Sequence, residues 1–298
     1  MIEVRNVTKT FDGFTALDGL SMNVPDGAIY GLVGPNGSGK STIIRHITGI
    51  YRPDSGEILV GGAPVWENPA VKGKMAYIPD DVFYFLSSNV RDMMRYYKGI
   101  YPQFDSERYE KLKEVFPEVN EKKTIRTMSK GMQKQAAFWL QMCLRPEVMV
   151  LDEPVDGLDP VMRRQVWGIL MGDAAERGIT VLVSSHNLRE LEDVCDHVGI
   201  LDHGKLLLEH SLNELQENIT KIQIALPEGK ALPEGLNIVH QSAAGRLRTI
   251  IVRGDAGEVQ QRLGACEPLF MDALPLSLEE IFIYELGGND YAVKDILL

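Results

Sequence analysis

The stretch GPNGSGKS, Gly34–Ser41, constrains this chain more than any other. It follows an apolar run, AIYGLVG (Ala28–Gly34), that reads as a buried strand, and it opens KSTIIRHITGI, which reads as a helix. A Gly-x-x-x-x-Gly-Lys-Ser pattern between strand and helix has the form of a loop that wraps phosphates. Glycines let main-chain N–H groups curl around the oxygens, and the helix N-terminus adds a favourable dipole. Lys40 is placed to reach the β- and γ-phosphates, and the Ser41 hydroxyl to ligate Mg2+. Gly34, Pro35, Asn36, Gly37, Ser38, Gly39, Lys40, Ser41 and Thr42 are therefore the expected nucleotide cradle.

Two further apolar runs end in polar residues, EVMVLDEP (Glu147–Pro154) and GITVLVSSH (Gly178–His186). Such runs are what parallel strands buried on both faces look like. A helix over Pro160–Arg177 lies between them, and this alternation implies a mostly parallel sheet covered by helices, an α/β fold. Asp152, at a strand end, can hold Mg2+ directly or through water. Glu153 points to the other side of that end, where it can polarise a water for in-line attack on a γ-phosphate.

Helical stretches at Asn89–Tyr97 and Asp105–Phe116 interrupt the strand alternation before a helix that starts near Ser129. They read as an inserted helical subdomain, about 86–145, within a first domain of residues 1–212. Beyond that the texture changes. TKIQIAL (Thr220–Leu226) and part of RLRTIIVRG (Arg246–Gly254) alternate polar and apolar, as half-buried antiparallel strands do. DAGEVQQRLGA and SLEEIFIYEL look like short helices. Residues 213–298 thus read as a small α+β appendage.

At 298 residues, 44% hydrophobic and 24% charged, the chain can bury an ordinary globular core. A net charge of −11 argues against nucleic acid as the main partner, which selects for Lys and Arg excess. No apolar run approaches the roughly 18 residues of a membrane span, and the first residues lack a signal-peptide pattern. Cys143, Cys195 and Cys266 are odd in number and far apart, so a disulfide framework is not expected and a reducing compartment is.

GPNGSGKS, SKGMQ (Ser129–Gln133), VMVLDEP, GLDP (Gly157–Pro160) and SSH (Ser184–His186) occur in the order and spacing of an ABC-transporter ATPase subunit. The resemblance covers about residues 1–215 and looks closest to the ATPases of ABC-2-type bacterial exporters, including an acetoin-utilisation-like branch. It implies a P-loop fold of ABC type whose ligands are ATP and Mg2+. Phe11 would stack on adenine, with Phe14 as a rival. Ser129 and Gly131 would contact the γ-phosphate held by a second ATPase subunit, in a homodimer or heterodimer, and Asp159 would link the two sites across that dimer. His186 would meet the γ-phosphate and the attacking water, and Lys40, Glu153 and His186 would form the catalytic set. The resemblance also implies a separate transmembrane permease and a place in the cytoplasm, on the inner face of a bacterial cell membrane. A nucleotide-sensing regulatory subunit and a soluble, non-transport ABC ATPase stay open as alternatives. The usual L-S-G-G-Q reads MSKGM here (Met128–Met132), keeping the serine and the second glycine.

YIPDDVFYF (Tyr77–Phe85) carries an acid, Asp80, where the family usually has glutamine. Aspartate keeps an oxygen ligand for a hard cation but loses the amide donor and some reach. Asp80 is expected to approach Mg2+ when two subunits close; the alternative is a solvated surface loop. Phe83, Tyr84 and Phe85 suit a partner surface or, alternatively, pack beneath the helical subdomain.

Overall fold

The computed structural model describes residues 1–214, 219–274 and 276–280. The chain divides into two compact units, Met1–His186 with Val194–Glu209, and Asn187–Asp193 with the described residues from His210 onward.

In chain order the first unit begins with β1 (Ile2–Phe11), β2 (Phe14–Val24), β3 (Ile29–Val33) and α1 (Lys40–Ile47). There follow β4 (Ser55–Val60), β5 (Ala63–Pro64), α2 (Pro69–Lys72) and β6 (Met75–Ile78). Three helices come next, α3 (Val90–Ile100), α4 (Ser106–Val115) and α5 (Lys130–Met142). The chain then runs through β7 (Val148–Asp152), α6 (Pro160–Arg177), β8 (Thr180–Ser185), α7 (Arg189–Glu192), β9 (His197–Asp202) and β10 (Lys205–Ser211).

Two sheets result. The six-stranded sheet has the order β10-β9-β3-β8-β7-β6, with β9, β3, β8, β7 and β6 mutually parallel. Every residue of β3, β7 and β8 is buried, as continuous apolar runs require when helices cover both faces. The second sheet, β2-β1-β4-β5, is antiparallel. Its β1–β2 hairpin turns at Asp12 and Gly13, both with positive φ, the form an Asp-Gly pair favours. One core joins the two sheets. Ile43, Ile44 and Ile47 of α1 are fully buried in it, each stabilising the fold by roughly 2 kcal/mol.

The helical region is held by its own caps and contacts. Asn89 and Asp92 form a capping box at α3, and Asp105 caps α4. Tyr109 stacks on Trp139 at 4.9 Å, and buried Glu121 accepts from Arg91, Lys113 and Tyr109. The helix over Pro160–Arg177 starts and stops where the sequence suggests, because Asp159 caps its first turn and Gly178 adopts the left-handed conformation after its last.

The second unit holds β11 (Ile219–Ala225), β12 (Asn237–Ala244), β13 (Leu247–Arg253), α8 (Ala256–Gly264) and β14 (Phe270–Leu274). Its antiparallel sheet has the order β12-β13-β11-β14, and Val259 and Leu263 of α8 cover Ile222, Ile224, Ile250 and Val252. The segment Asn187–Asp193 belongs to this unit through Arg189, whose guanidinium donates twice to Glu279, and Glu192, which accepts from Leu278 N. Of the expected helix SLEEIFIYEL, everything after Glu280 lies outside the described residues.

Candidate active site

Parallel register assembles the site. Val33 pairs with Ser185 and Asp152 with Ser184, so β3, β7 and β8 end at one level. Ligands in open α/β sheets bind beyond such carboxyl ends. The loop Gly34–Gly39 leaves β3 there and α1 follows. Two of its glycines are sterically required. A Cβ on Gly34 would lie 2.1 Å from the Leu201 carbonyl oxygen, and Gly39 has φ 112° with the Ala16 carbonyl 2.9 Å from where a Cβ would stand. No side chain caps α1, so its first N–H groups face the loop, as an anion site needs.

Lys40 is buried, and its Nζ donates to the Gly34 carbonyl at 2.6 Å and the Pro35 carbonyl at 3.2 Å. Burial pulls its pKa below the ordinary lysine value, and the Glu153 and Asp152 carboxylates partly offset that. The Ser38 hydroxyl oxygen is buried with no hydrogen-bond partner, an orphan that a phosphate oxygen would satisfy. Ser41 and Thr42 are half-buried in the first turn of α1, and Asn36 and Gly37 are exposed at the loop tip.

Asp152 is buried, and Ser184 Oγ donates to its Oδ1 at 2.5 Å. The same hydroxyl accepts from Glu153 N at 3.2 Å. Ser184 therefore fixes both acids from the neighbouring strand. Glu153 has φ 47°, in the left-handed region where a side chain is strained. That turn separates its carboxylate from that of Asp152. Its Oε2 lies 2.9 Å from His186 Nδ1. Burial raises the Glu153 pKa, opposed by His186 and Lys40. Lys40, Asp152, Glu153 and His186 are thus brought together. A carboxylate beside an imidazole, next to a phosphate loop, can orient and deprotonate a water.

Ser129, Gly131 and Asp159 gather in a second group. Ser129 caps α5 by accepting from Met132 N at 3.3 Å, and Asp159 caps α6 by accepting from Val161 N and Met162 N at 3.0 Å each. A Cβ on Gly131 would lie 2.7 Å from the Gly157 carbonyl, which holds the two loops close. Asp80 is half-exposed, and its Oδ1 accepts from buried Lys134 at 3.2 Å. The aromatic stretch after it splits: Phe83 and Phe85 are exposed, while Tyr84 is partly buried.

Phe11 and Phe14 face each other across the hairpin end. Phe11 alone of the two contacts another ring, meeting Tyr51 edge-on at 5.6 Å with Lys9 Nζ 5.3 Å from its own centroid. Tyr51 OH in turn accepts from Arg45 of α1, so Phe11 is tied to the helix that carries the phosphate loop. Phe11→Ala is expected to weaken ATP binding by about 5-fold, the size of one aromatic contact, and Phe14→Ala by less than about 2-fold. Equilibrium titration with ATP checks both.

Sequence reasoning does not single out Ser184, Tyr51 or Lys134. The first becomes visible only through the register Asp152↔Ser184, and the others only through contacts between distant segments.

Comparison with known proteins decides the family. The family profile described as ABC transporter matches residues 17–156. The ABC transporter ATP-binding protein YtrB of Bacillus subtilis is 34% identical over 290 residues, 97% of this chain and 99% of that relative. The chain belongs to the ABC transporter ATP-binding proteins. The bacitracin transport ATP-binding protein BcrA of Bacillus licheniformis is 31% identical over 302 residues, 97% of this chain and 98% of the relative. A solved ATP-binding subunit of an ABC transporter superposes with TM-score 0.67 at 26% identity, over 72% of this chain and 92% of that one. The ABC chain described here is an ATPase of P-loop α/β fold, with the helical insertion and the small α+β unit described above.

Proposed function

We propose that this ABC ATPase powers a separate transmembrane permease, in an exporter, by binding ATP and Mg2+ between two ATPase subunits. The convergence of Lys40, Asp152, Glu153 and His186 at one end of the parallel sheet carries the reading. In it, residues 1–212 form the ATPase domain and residues 213–298 an accessory domain. Gly34–Thr42 wrap the phosphates, with Lys40 on the β- and γ-oxygens, and Phe11 stacks on adenine. Ser41 and Asp152 offer the hydroxyl and carboxylate oxygens that Mg2+ accepts, and Ser184 holds the acid in place for it. Asp80 joins them when the subunits close. Bound there, the ion neutralises charge on the phosphate oxygens. Glu153 takes the proton of the attacking water, and His186 orients that water and the γ-phosphate. Ser129 and Gly131 act on the partner's nucleotide and Asp159 links the two sites, so a lone subunit turns over slowly.

The reading places the chain in the cytoplasm against the inner face of a bacterial cell membrane, with no nucleic-acid partner. Among the described residues no helix is long and apolar enough to cross a membrane, and exposed Phe83 and Phe85 offer anchors for a partner. The transport named for BcrA supports this over a purely regulatory role, as does the Glu153–His186 contact. Affinity purification from detergent-solubilised membranes of the native host is expected to retrieve a polytopic membrane protein. Recovery of soluble partners alone would overturn the transport reading and leave the ATPase standing.

A further inference from the structure

Among the described residues, the one buried ammonium near the site to which the proposed chemistry gives no task is that of Lys134. It sits in α5 at 5% exposure, in a helix whose residues from Lys134 to Met142 are all buried. An apolar residue would pack there without the cost of desolvating a charge. Lys134 Nζ instead makes two contacts. It donates to Asp80 Oδ1 at 3.2 Å and, through a short hydrogen bond, to the main-chain carbonyl of Glu153. We propose that Lys134 is a positioning residue that ties Asp80 to the main chain of Glu153 and so holds the base in its reactive direction.

The geometry explains why Glu153 needs such a tie. Its backbone is in the left-handed region, which a non-glycine residue keeps only if its surroundings impose it. Ser184 holds its N–H through both the main-chain oxygen and the hydroxyl. On the carbonyl side, Asp156 N donates only at 3.4 Å, so Lys134 is the stronger hold. With both ends of the peptide unit fixed, the side chain leaves in one direction, toward His186. Asp80 is the other end of the tie. The segment that begins with it carries exposed Phe83 and Phe85, so a displacement of that segment changes the balance of charge and position on Lys134, and through it Glu153.

The proposal rests on the reading of Glu153 as the base, and the test separates the two. ATP-dependent phosphate release, ATP affinity and the Mg2+ concentration for half-activation are measured on the full chain and on Lys134→Met, Asp80→Asn, the double variant and Glu153→Gln. Lys134→Met is expected to lower kcat by about 10-fold or more, the size of a modest misplacement of a reacting group, with ATP affinity within about 2-fold. At saturating Mg2+, Asp80→Asn is expected to lower kcat by about 3-fold and to do nothing further in the Lys134→Met background. A wild-type kcat for Lys134→Met, or additive effects in the double variant, overturns the tie. A loss of thermal stability with kcat intact shows a buried ion pair that only stabilises the fold, and overturns it equally. Should Lys134→Met not fold, half-exposed Asp80 still decides: a wild-type kcat for Asp80→Asn at saturating Mg2+ sinks the proposal. Turnover retained by Glu153→Gln removes the base, and the proposal with it. An inactive Glu153→Gln beside a wild-type Lys134→Met removes the tie alone.

Discussion

Glu153→Gln is expected to lower ATP turnover by about 100-fold or more, the range lost when a general base is removed, while ATP affinity stays within about 2-fold. The two effects separate because Glu153 lies beyond the phosphate loop and meets His186, whereas the groups proposed to wrap the phosphates belong to Gly34–Thr42. Gln has the same length and an oxygen that still accepts from His186 Nδ1, so the turn at residue 153 and its bonds to Ser184 are kept. What is lost is basicity. Burial raises the carboxyl's pKa, which strengthens it as a proton acceptor, while His186 and Lys40 restrain the rise. The amide cannot accept that proton. In the presence of ATP and Mg2+ the variant is expected to accumulate as a dimer, because in the proposed cycle closure needs the nucleotide and reopening needs hydrolysis. Phosphate release, ATP titration and size-exclusion chromatography check the three statements. A monomeric, fully active variant would show that another group takes the proton.

What the sequence made legible, and what it did not, follows from the range of the forces involved. The phosphate loop, the strands at Val148–Asp152 and Thr180–Ser185 and the helix Pro160–Arg177 are written locally, in glycines, apolar runs and caps. The antiparallel sheet β2-β1-β4-β5 was not read, although β1 and β2 contain alternation. Buried positions in β1 fall at Ile2, Val4 and Val7, and the change of parity coincides with Asn6 at φ 49° and a register shift. Such an irregularity erases the period of two on which strand recognition depends. Contacts across sequence are likewise silent. Nothing near Ser184 indicates that its hydroxyl meets Asp152, and nothing near Arg189 foretells Glu279, 90 residues on. The contact of Asp80 with Lys134, 54 residues away, is equally silent in the sequence. Within one chain Ser129 and Asp159 cap helices, and Gly131 allows the close approach of the Gly157 carbonyl. Their proposed work involves a second subunit.

Lys40→Met is expected to weaken ATP binding by about 100-fold or more, because charge-assisted hydrogen bonds to phosphate are worth roughly 1.5–3 kcal/mol each and the ammonium can make two. Methionine keeps the unbranched stem, so the space that Lys40 fills against the core is still occupied. The direction of the stability change separates loss of binding from loss of fold. The Lys40 ammonium is buried, and its pKa is lowered by that burial, so its charged form is disfavoured in the folded chain relative to the unfolded one. That charge costs stability at neutral pH, and its removal gives some back. Against this stand the two carbonyl contacts, to Gly34 and Pro35, which methionine cannot make. Those carbonyls lie at the loop, where rearrangement and water can satisfy them, so the opposing changes leave the unfolding temperature close to that of the parent. ATP titration then shows the loss and thermal unfolding shows none. If both fell together, the lysine would be holding the loop's shape, and its carbonyl contacts would matter more than its reach to phosphate. If ATP affinity were unchanged, the loop amides and the N-terminus of α1 would bind the phosphates alone, and the charge at residue 40 would act only once the γ-phosphate begins to leave.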